Sequence, residues 1–130
     1  MKKTYFLEKV SHIPKLWKDD DPVRPELSPD FKTEPGREVV GLRTVDGEWK
    51  AFMCYARTCD VPKNIEELKT YTDEAGSIFV PYTVWSHEKG AGREIINKLR
   101  SEVERVPMGI TRIVTLSPLT NMARKFHLRN

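Results

Sequence analysis

The chain has 130 residues, 38% apolar and 32% charged, with 9 Pro and 7 Gly. It is too apolar for a disordered chain, and no apolar run approaches the ~18 residues that span a bilayer. The net charge is only +3, too weak a bias for a nucleic-acid binder but enough for one phosphorylated small molecule.

Arg124, Lys125 and Arg129, with no acid among residues 121–130, account for the whole charge excess. The segment Met1–Lys9 lacks the apolar stretch of a secretory signal, so the cytosol is the expected location. Cys54 and Cys59 then read as reduced thiols, buried or half-buried. No second Cys/His pair stands at ligand spacing, and no metal site is expected.

Phe6 to Trp17 is predicted to hold a short helix, with Ser11 as its N-cap and Pro14 in its first turn. Asp19-Asp20-Asp21-Pro22 stops it, and the three acids read as a solvated charge run. Four prolines between Pro22 and Pro35 predict an extended, loop-like connection. Two β-rich runs, Glu38–Val45 and Glu48–Ala56, flank Asp46-Gly47. They predict an antiparallel hairpin over 38–56, closed by a two-residue turn with positive φ at both central positions.

Asn64 caps a short helix from Ile65 to about Tyr71, with Glu67 placed to reach back. Ala75 to Trp85 is predicted to be one strand, apolar enough to be covered on both faces. Pro81 inside it cannot donate to a ladder, so either a bulge sits there or a neighbouring strand departs. Ile95, Ile96, Leu99, Val103 and Val106 mark one face of a helix, and Ile110 to Leu116 is a further strand. Strand–helix–strand implies a parallel pair with the helix on one face. Ser117-Pro118 opens a last helix whose apolar stripe is Leu119, Met122, Ala123 and Phe126.

The segment Val84-Trp85-Ser86-His87-Glu88-Lys89-Gly90-Ala91-Gly92-Arg93 carries the chemistry. A glycine turn between a buried strand and a helix N-terminus brings backbone N–H groups and the positive helix end to an anion. A dinucleotide fingerprint needs a third glycine where Ile95 stands, and a Walker A loop needs Gly-Lys-Ser/Thr, which is absent. By itself, Gly-x-Gly also reads as a tight connection.

The order of elements resembles the GNAT family of acetyl-coenzyme A-dependent N-acetyltransferases. The family's turn pattern, Gln/Arg-x-x-Gly-x-Gly/Ala, is similar to His87-Glu88-Lys89-Gly90-Ala91-Gly92, with His87 at the first position. A second pattern, Ala followed by Phe or Leu and then Tyr, is similar to Ala123-Arg124-Lys125-Phe126-His127, with His127 in place of tyrosine. Thr120 stands where the family usually has Asn, and Asn121 is adjacent. Ser117-Pro118-Leu119-Thr120 with Phe126-His127 looks most like small phage-type members.

The resemblance covers roughly residues 37–130. It implies an α+β fold: a mixed, mostly antiparallel sheet flanked by helices, with a splayed central strand pair. Residues 1–130 then form a single domain, with an N-terminal helix and loop over 1–36 and the family-like core over 37–130.

The resemblance also implies acetyl-coenzyme A as co-substrate. Glu88, Lys89, Gly90, Ala91, Gly92 and Arg93 would hold the pyrophosphate, with His87 and Asn121 as further contacts. Val84 and Trp85 would pair with the pantetheine amides as a peptide adds to a sheet edge. An amine-bearing small molecule or protein would attack the thioester directly, and a backbone N–H of the splayed strand would stabilise the oxyanion. His127 would protonate the leaving thiolate. No base is assignable: residues 75–85 hold no Asp or Glu, so a water chain or a backbone carbonyl would serve, with Ser117 and Tyr82 as weaker candidates.

Two further readings stand beside this one. The absent tyrosine suits a non-catalytic relative that binds coenzyme A or a protein partner. The basic tail suits an RNA- or DNA-associated protein, which the low net charge opposes. The family's further strands have no counterpart before Asn130. The open edge of strand 110–116 is therefore expected to pair with a second copy as a homodimer.

Overall fold

Residues 37–58 fold as the expected hairpin, strands β2 (Arg37–Thr44) and β3 (Trp49–Thr58). The structure is a computed structural model and describes residues 4–105 and 109–116. Around the hairpin a five-stranded sheet forms in chain order, with β1 (Tyr5–Lys9) outside β2, then β4 (Ile78–Ser86) and β5 (Arg112–Ile113) beyond β3. The first three junctions are antiparallel, and β4–β5 is parallel. With α1 (Pro29–Thr33), α2 (Ile65–Tyr71) and α3 (Ala91–Arg105), this is the α+β, mostly antiparallel architecture expected.

Alternation along the central strands divides the core into two layers. One face carries Val39, Phe52, Cys54 and Ala56 against the N-terminal segment, whose Trp17, Val23, Leu27 and Phe31 pack on it. The other face carries Val40, Met53, Tyr55 and Phe79 against Ile95, Leu99 and Val103 of α3. The helix at Ile65–Tyr71 has the predicted cap: the Asn64 side chain accepts from Glu67 N at 2.8 Å. Glu67 reaches back to Lys63 N, also at 2.8 Å.

Four expectations are corrected. Phe6–Trp17 is not a helix: Tyr5–Lys9 is a strand on the sheet edge, followed by one 3-10 turn at Pro14–Leu16. Tyr5 and Leu7 turn inward to the α3 layer, a period of two that the helix reading passed over. The Ser11 hydroxyl caps nothing; it accepts from Val39 N at 2.8 Å and donates to Glu38 Oε1 at 2.9 Å, pinning the chain to β2.

Within Pro22–Pro35, α1 forms because Ser28 accepts from Phe31 N at 3.1 Å and Pro29 takes the first helical position. The hairpin turn has positive φ only at Gly47, +87°. Thr44 O accepts from Gly47 N at 3.0 Å and Thr44 N donates to Glu48 O at 2.9 Å, so the connection has three residues, not two. Finally, Cys54 is buried as expected, but Cys59 is exposed.

Candidate functional site

The site begins at the bulge that Pro81 imposes on β4. Opposite β3 the register slips there: Cys54 faces Thr83, while Tyr55 faces Pro81. One residue is inserted, so Tyr82 and Thr83 both turn toward the N-terminal segment, and Val84 turns to the α3 layer. Beyond the bulge His87 N donates to Lys50 O at 2.8 Å. Antiparallel alternation then places Trp85 and Thr83 in hydrogen-bonded pairs with β3, and aims the Val84 N–H and C=O the other way, toward β5.

The β5 side is bonded to the first half of β4. It donates Thr111 N to Ser77 O, Val114 N to Phe79 O and Leu116 N to Pro81 O, at 2.8, 3.0 and 3.1 Å. Leu116, which pairs with Pro81, is the last described residue on that side. A narrow apolar slot of about 30 Å³ opens on the α3 side of this junction, lined by Met53, Pro81, Val84, Ile96, Ile113 and Thr115.

The opposite side of the junction is filled by the N-terminal segment. Arg24 donates from Nε to Tyr82 O at 2.6 Å and from Nη2 to Leu116 O at 3.2 Å. Its guanidinium thus bridges the two strands at the last described rung of their ladder. Burial lowers the Arg24 pKa from its ordinary value, opposed by Glu26 and Asp21.

Asp21 holds the segment in place. Its Oδ1 accepts from Val23 N at 2.8 Å and Arg24 N at 3.0 Å, its carboxylate accepts from the Thr83 hydroxyl, and Lys32 Nζ lies 3.0 Å from Oδ2. Asp20 ties the end of β4: its Oδ2 accepts from Trp85 Nε1 at 2.7 Å and lies 2.5 Å from His87 Nε2. The acidic run is therefore not a solvated face; only Asp19 of the three is exposed.

The glycine turn follows. Gly90 has φ +87°, and a Cβ built there meets nothing within 4 Å. Glu88 is an anchor: its C=O accepts from Ala91 N at 3.1 Å, and its carboxylate accepts from the Tyr5 hydroxyl at 2.9 Å and faces Lys50 at 3.7 Å. The N–H groups of Gly90 and Gly92 have no acceptor among the described residues, as helix starts leave them. They project beside exposed Lys89 and Arg93 at the positive end of a 15-residue helix.

Of the residues singled out in the sequence, Val84, Trp85, His87, Glu88, Lys89, Gly90, Ala91, Gly92 and Arg93 are brought together along the end of β4 and the turn. His127, Ser117 and Asn121 lie outside the described residues. Sequence reasoning missed Arg24, Asp20, Asp21 and Thr83. Asp21-Pro22 was the available signal, since Asp before Pro initiates turns by accepting from N–H groups two and three residues on.

No family model matches the chain, and no curated protein matches it in sequence. Among solved structures, the malonyl-CoA decarboxylase from Agrobacterium vitis superposes with a TM-score of 0.70 at 18% identity, covering 95% of this chain and 35% of that one. This chain thus spans about a third of that protein's length. The ribosomal-protein-alanine N-acetyltransferase from Brucella melitensis biovar Abortus 2308 gives 0.58 at 15% identity, covering 97% of this chain and 90% of that one. The aminoglycoside N-acetyltransferase AAC(6')-Iy, solved in complex with CoA, gives 0.58 at 10% identity over 99% and 88%. These likenesses speak to backbone architecture: the chain has the GNAT acetyltransferase fold.

Proposed function

We propose that the chain is an acetyl-coenzyme A-dependent N-acetyltransferase that holds the coenzyme A thioester across the glycine turn and the β4–β5 splay. The observation that carries this reading is the backbone of Val84, whose N–H and C=O are turned away from β3 in the strand that leads directly to the turn. An amide-bearing chain can add there as a strand adds to a sheet edge. The two kinds of solved relative named above share coenzyme A thioester chemistry in their titles or a bound CoA, which supports the same assignment.

In this reading, Gly90 and Gly92 N–H groups donate to the pyrophosphate, helped by the α3 dipole and the Lys89 charge. Val84 orients the pantetheine arm. The thioester, when bound, supplies an acyl carbon open to an amine. A backbone N–H beside the bulge steadies the carbonyl oxygen as charge develops. The amine must first lose its proton, since free amines near pKa 10 are charged at neutrality. The new C–N bond then forms as C–S breaks, and the thiolate takes a proton, the role proposed for His127, with Ser117 a candidate for the base.

The narrowness of the slot, about 30 Å³, favours one second reading. The chain would then hold coenzyme A by its nucleotide end alone and transfer nothing. Thiol release from acetyl-coenzyme A over a panel of amines separates the two. Release supports transfer, whereas calorimetric binding without release supports the second reading. No binding at all overturns both.

A further inference from the structure

A groove of about 950 Å³ runs between α3 and strands β1, β2 and β3. Alternation puts Val40 of β2 and Tyr55 of β3 on the α3 face, and α3 crosses that face without covering all of it. Leu7, Val40, Leu99 and Val103 give the groove apolar walls. Tyr55 and Phe79, stacked at 4.2 Å between centroids, give it an aromatic floor. A space of this size holds a small molecule. It has no part in the coenzyme A reading: among the described residues it shares only Phe79 and Leu99 with the slot, and none with the glycine turn.

Tyr55 is 8% exposed, yet among the described residues its hydroxyl has no hydrogen-bond partner. A buried phenol ordinarily finds a partner, and leaving it without one is costly. Burial pushes this phenol up to about 12, so at neutral pH it keeps its proton and donates. The groove thus offers one O–H donor set in an apolar floor.

Charge decides what enters. Tyr55 stands beside Glu38, its partner across the β2–β3 ladder, and beside Arg57, and the two act on the phenol in opposite senses. Along the rim Glu38 faces Lys9 at 3.6 Å, Glu8 pairs with Arg43, and Glu102 pairs with Arg105 at 2.8 Å. Glu74 and Lys98 add one charge of each sign. An ion of either sign would give up water and meet a like charge in the same groove. A neutral molecule loses little on entering and needs only one acceptor for Tyr55. The ring floor favours a ring laid against it, edge-on or offset.

We propose that the groove between α3 and strands β1 to β3 is a second ligand site, taking an uncharged aromatic molecule whose one hydrogen-bond acceptor receives the Tyr55 hydroxyl.

NMR titration of the isotope-labelled full chain with naphthamide, naphthoate and naphthylmethylammonium tests it. The three share a ring system and differ in charge. Naphthamide should shift the amides of Leu7, Val40, Tyr55 and Leu99 saturably and bind at least about 5-fold tighter than either ion. Tyr55→Phe keeps the ring and its stacking, and should weaken naphthamide about 5-fold, the size of one hydrogen bond. Ser101→Trp, on the exposed α3 wall of the groove, should close it and abolish the shifts with coenzyme A affinity unchanged, and it serves where the phenylalanine variant does not fold. An ion that binds tighter than naphthamide, an affinity that survives Tyr55→Phe or Ser101→Trp, or shifts that never saturate overturns the proposal. The coenzyme A reading stands in each of these cases.

Discussion

Lys32 and Asp21 form an ion pair that solvent does not reach, with side chains 1% and 2% exposed and 3.0 Å between Nζ and Oδ2. The ammonium also lies 6.0 Å from the Trp17 ring and 5.7 Å from the Trp85 ring. Removing either partner strands the other's charge. Asp21→Ala should lower unfolding free energy by about 3–5 kcal/mol, and Lys32→Met by a similar amount. The double variant Asp21→Leu/Lys32→Met should lose clearly less than the sum, because no charge is then left buried. Urea unfolding of the set checks this; simple additivity would show that the two groups do not act as a pair.

Gly90 offers a cleaner probe of the turn. A side chain there enters open space but must adopt φ +87°, a region that costs an L-residue of order 1 kcal/mol. Gly90→Ala should therefore lower stability by about that amount. Gly90→Glu adds a negative charge beside the Gly92 N–H and should weaken coenzyme A binding at least ~10-fold, about 1.4 kcal/mol. Unchanged affinity in folded Gly90→Glu would remove the anion site from this turn.

Alkaline unfolding is set partly by Tyr55. Its phenol, stacked on Phe79 at 4.2 Å between centroids, is pushed up to about 12, first by burial and then by Glu38. The folded value lies above the unfolded one, so the contribution is whole below pH ~10 and is lost as pH rises toward 12. Two pH units correspond to about 2–3 kcal/mol. Burial raises the Tyr82 phenol and the Cys54 thiol as well. Wild type should thus lose stability steeply above pH 10. Tyr55→Phe should lose it less steeply over pH 10–12, as measured by denaturant titration at each pH.

Gly76 stands against the backbone of Thr58. A Cβ there would lie 2.4 Å from the Thr58 carbonyl oxygen and 2.7 Å from its nitrogen. The Thr58 backbone cannot step aside as a flexible side chain can. Gly76→Ala should cost at least ~1–3 kcal/mol by overpacking, read as a fall in the urea midpoint at constant slope. A neutral substitution would mean that the β3–β4 edge gives way more readily than close packing implies.

Signals that act over a few residues were legible. Asn64 with Glu67 marked the start of α2, Pro81 marked the bulge, and Gly90 marked the turn before α3. Each rests on one residue's own backbone chemistry. The strand at Tyr5–Lys9 was misread because five residues alternate too briefly to outweigh Ser11 and Pro14, which look like a helix start.

The junction's charged side was not legible for a different reason. Asp21 meets Thr83 across 62 residues, and Arg24 meets Leu116 across 92. Nothing in the neighbourhood of either acid or base distinguishes such a partner from solvent. Three consecutive acids read as a wet surface until Lys32, eleven residues on, is seen to fold back over one of them.

The same separations bear on how the molecule is made. β2, β3 and β4 can zip together in the order in which they leave the ribosome, because each pairs with the strand just before it. Arg24 is synthesised early and bonds first to Tyr82 and then to Leu116, 58 and 92 residues later. Closing a longer loop costs more chain entropy, if slowly. The bridge across β4 and β5 is thus the last of these links available to a growing chain: a nascent protein holds most of its sheet before it holds the apex of its cleft.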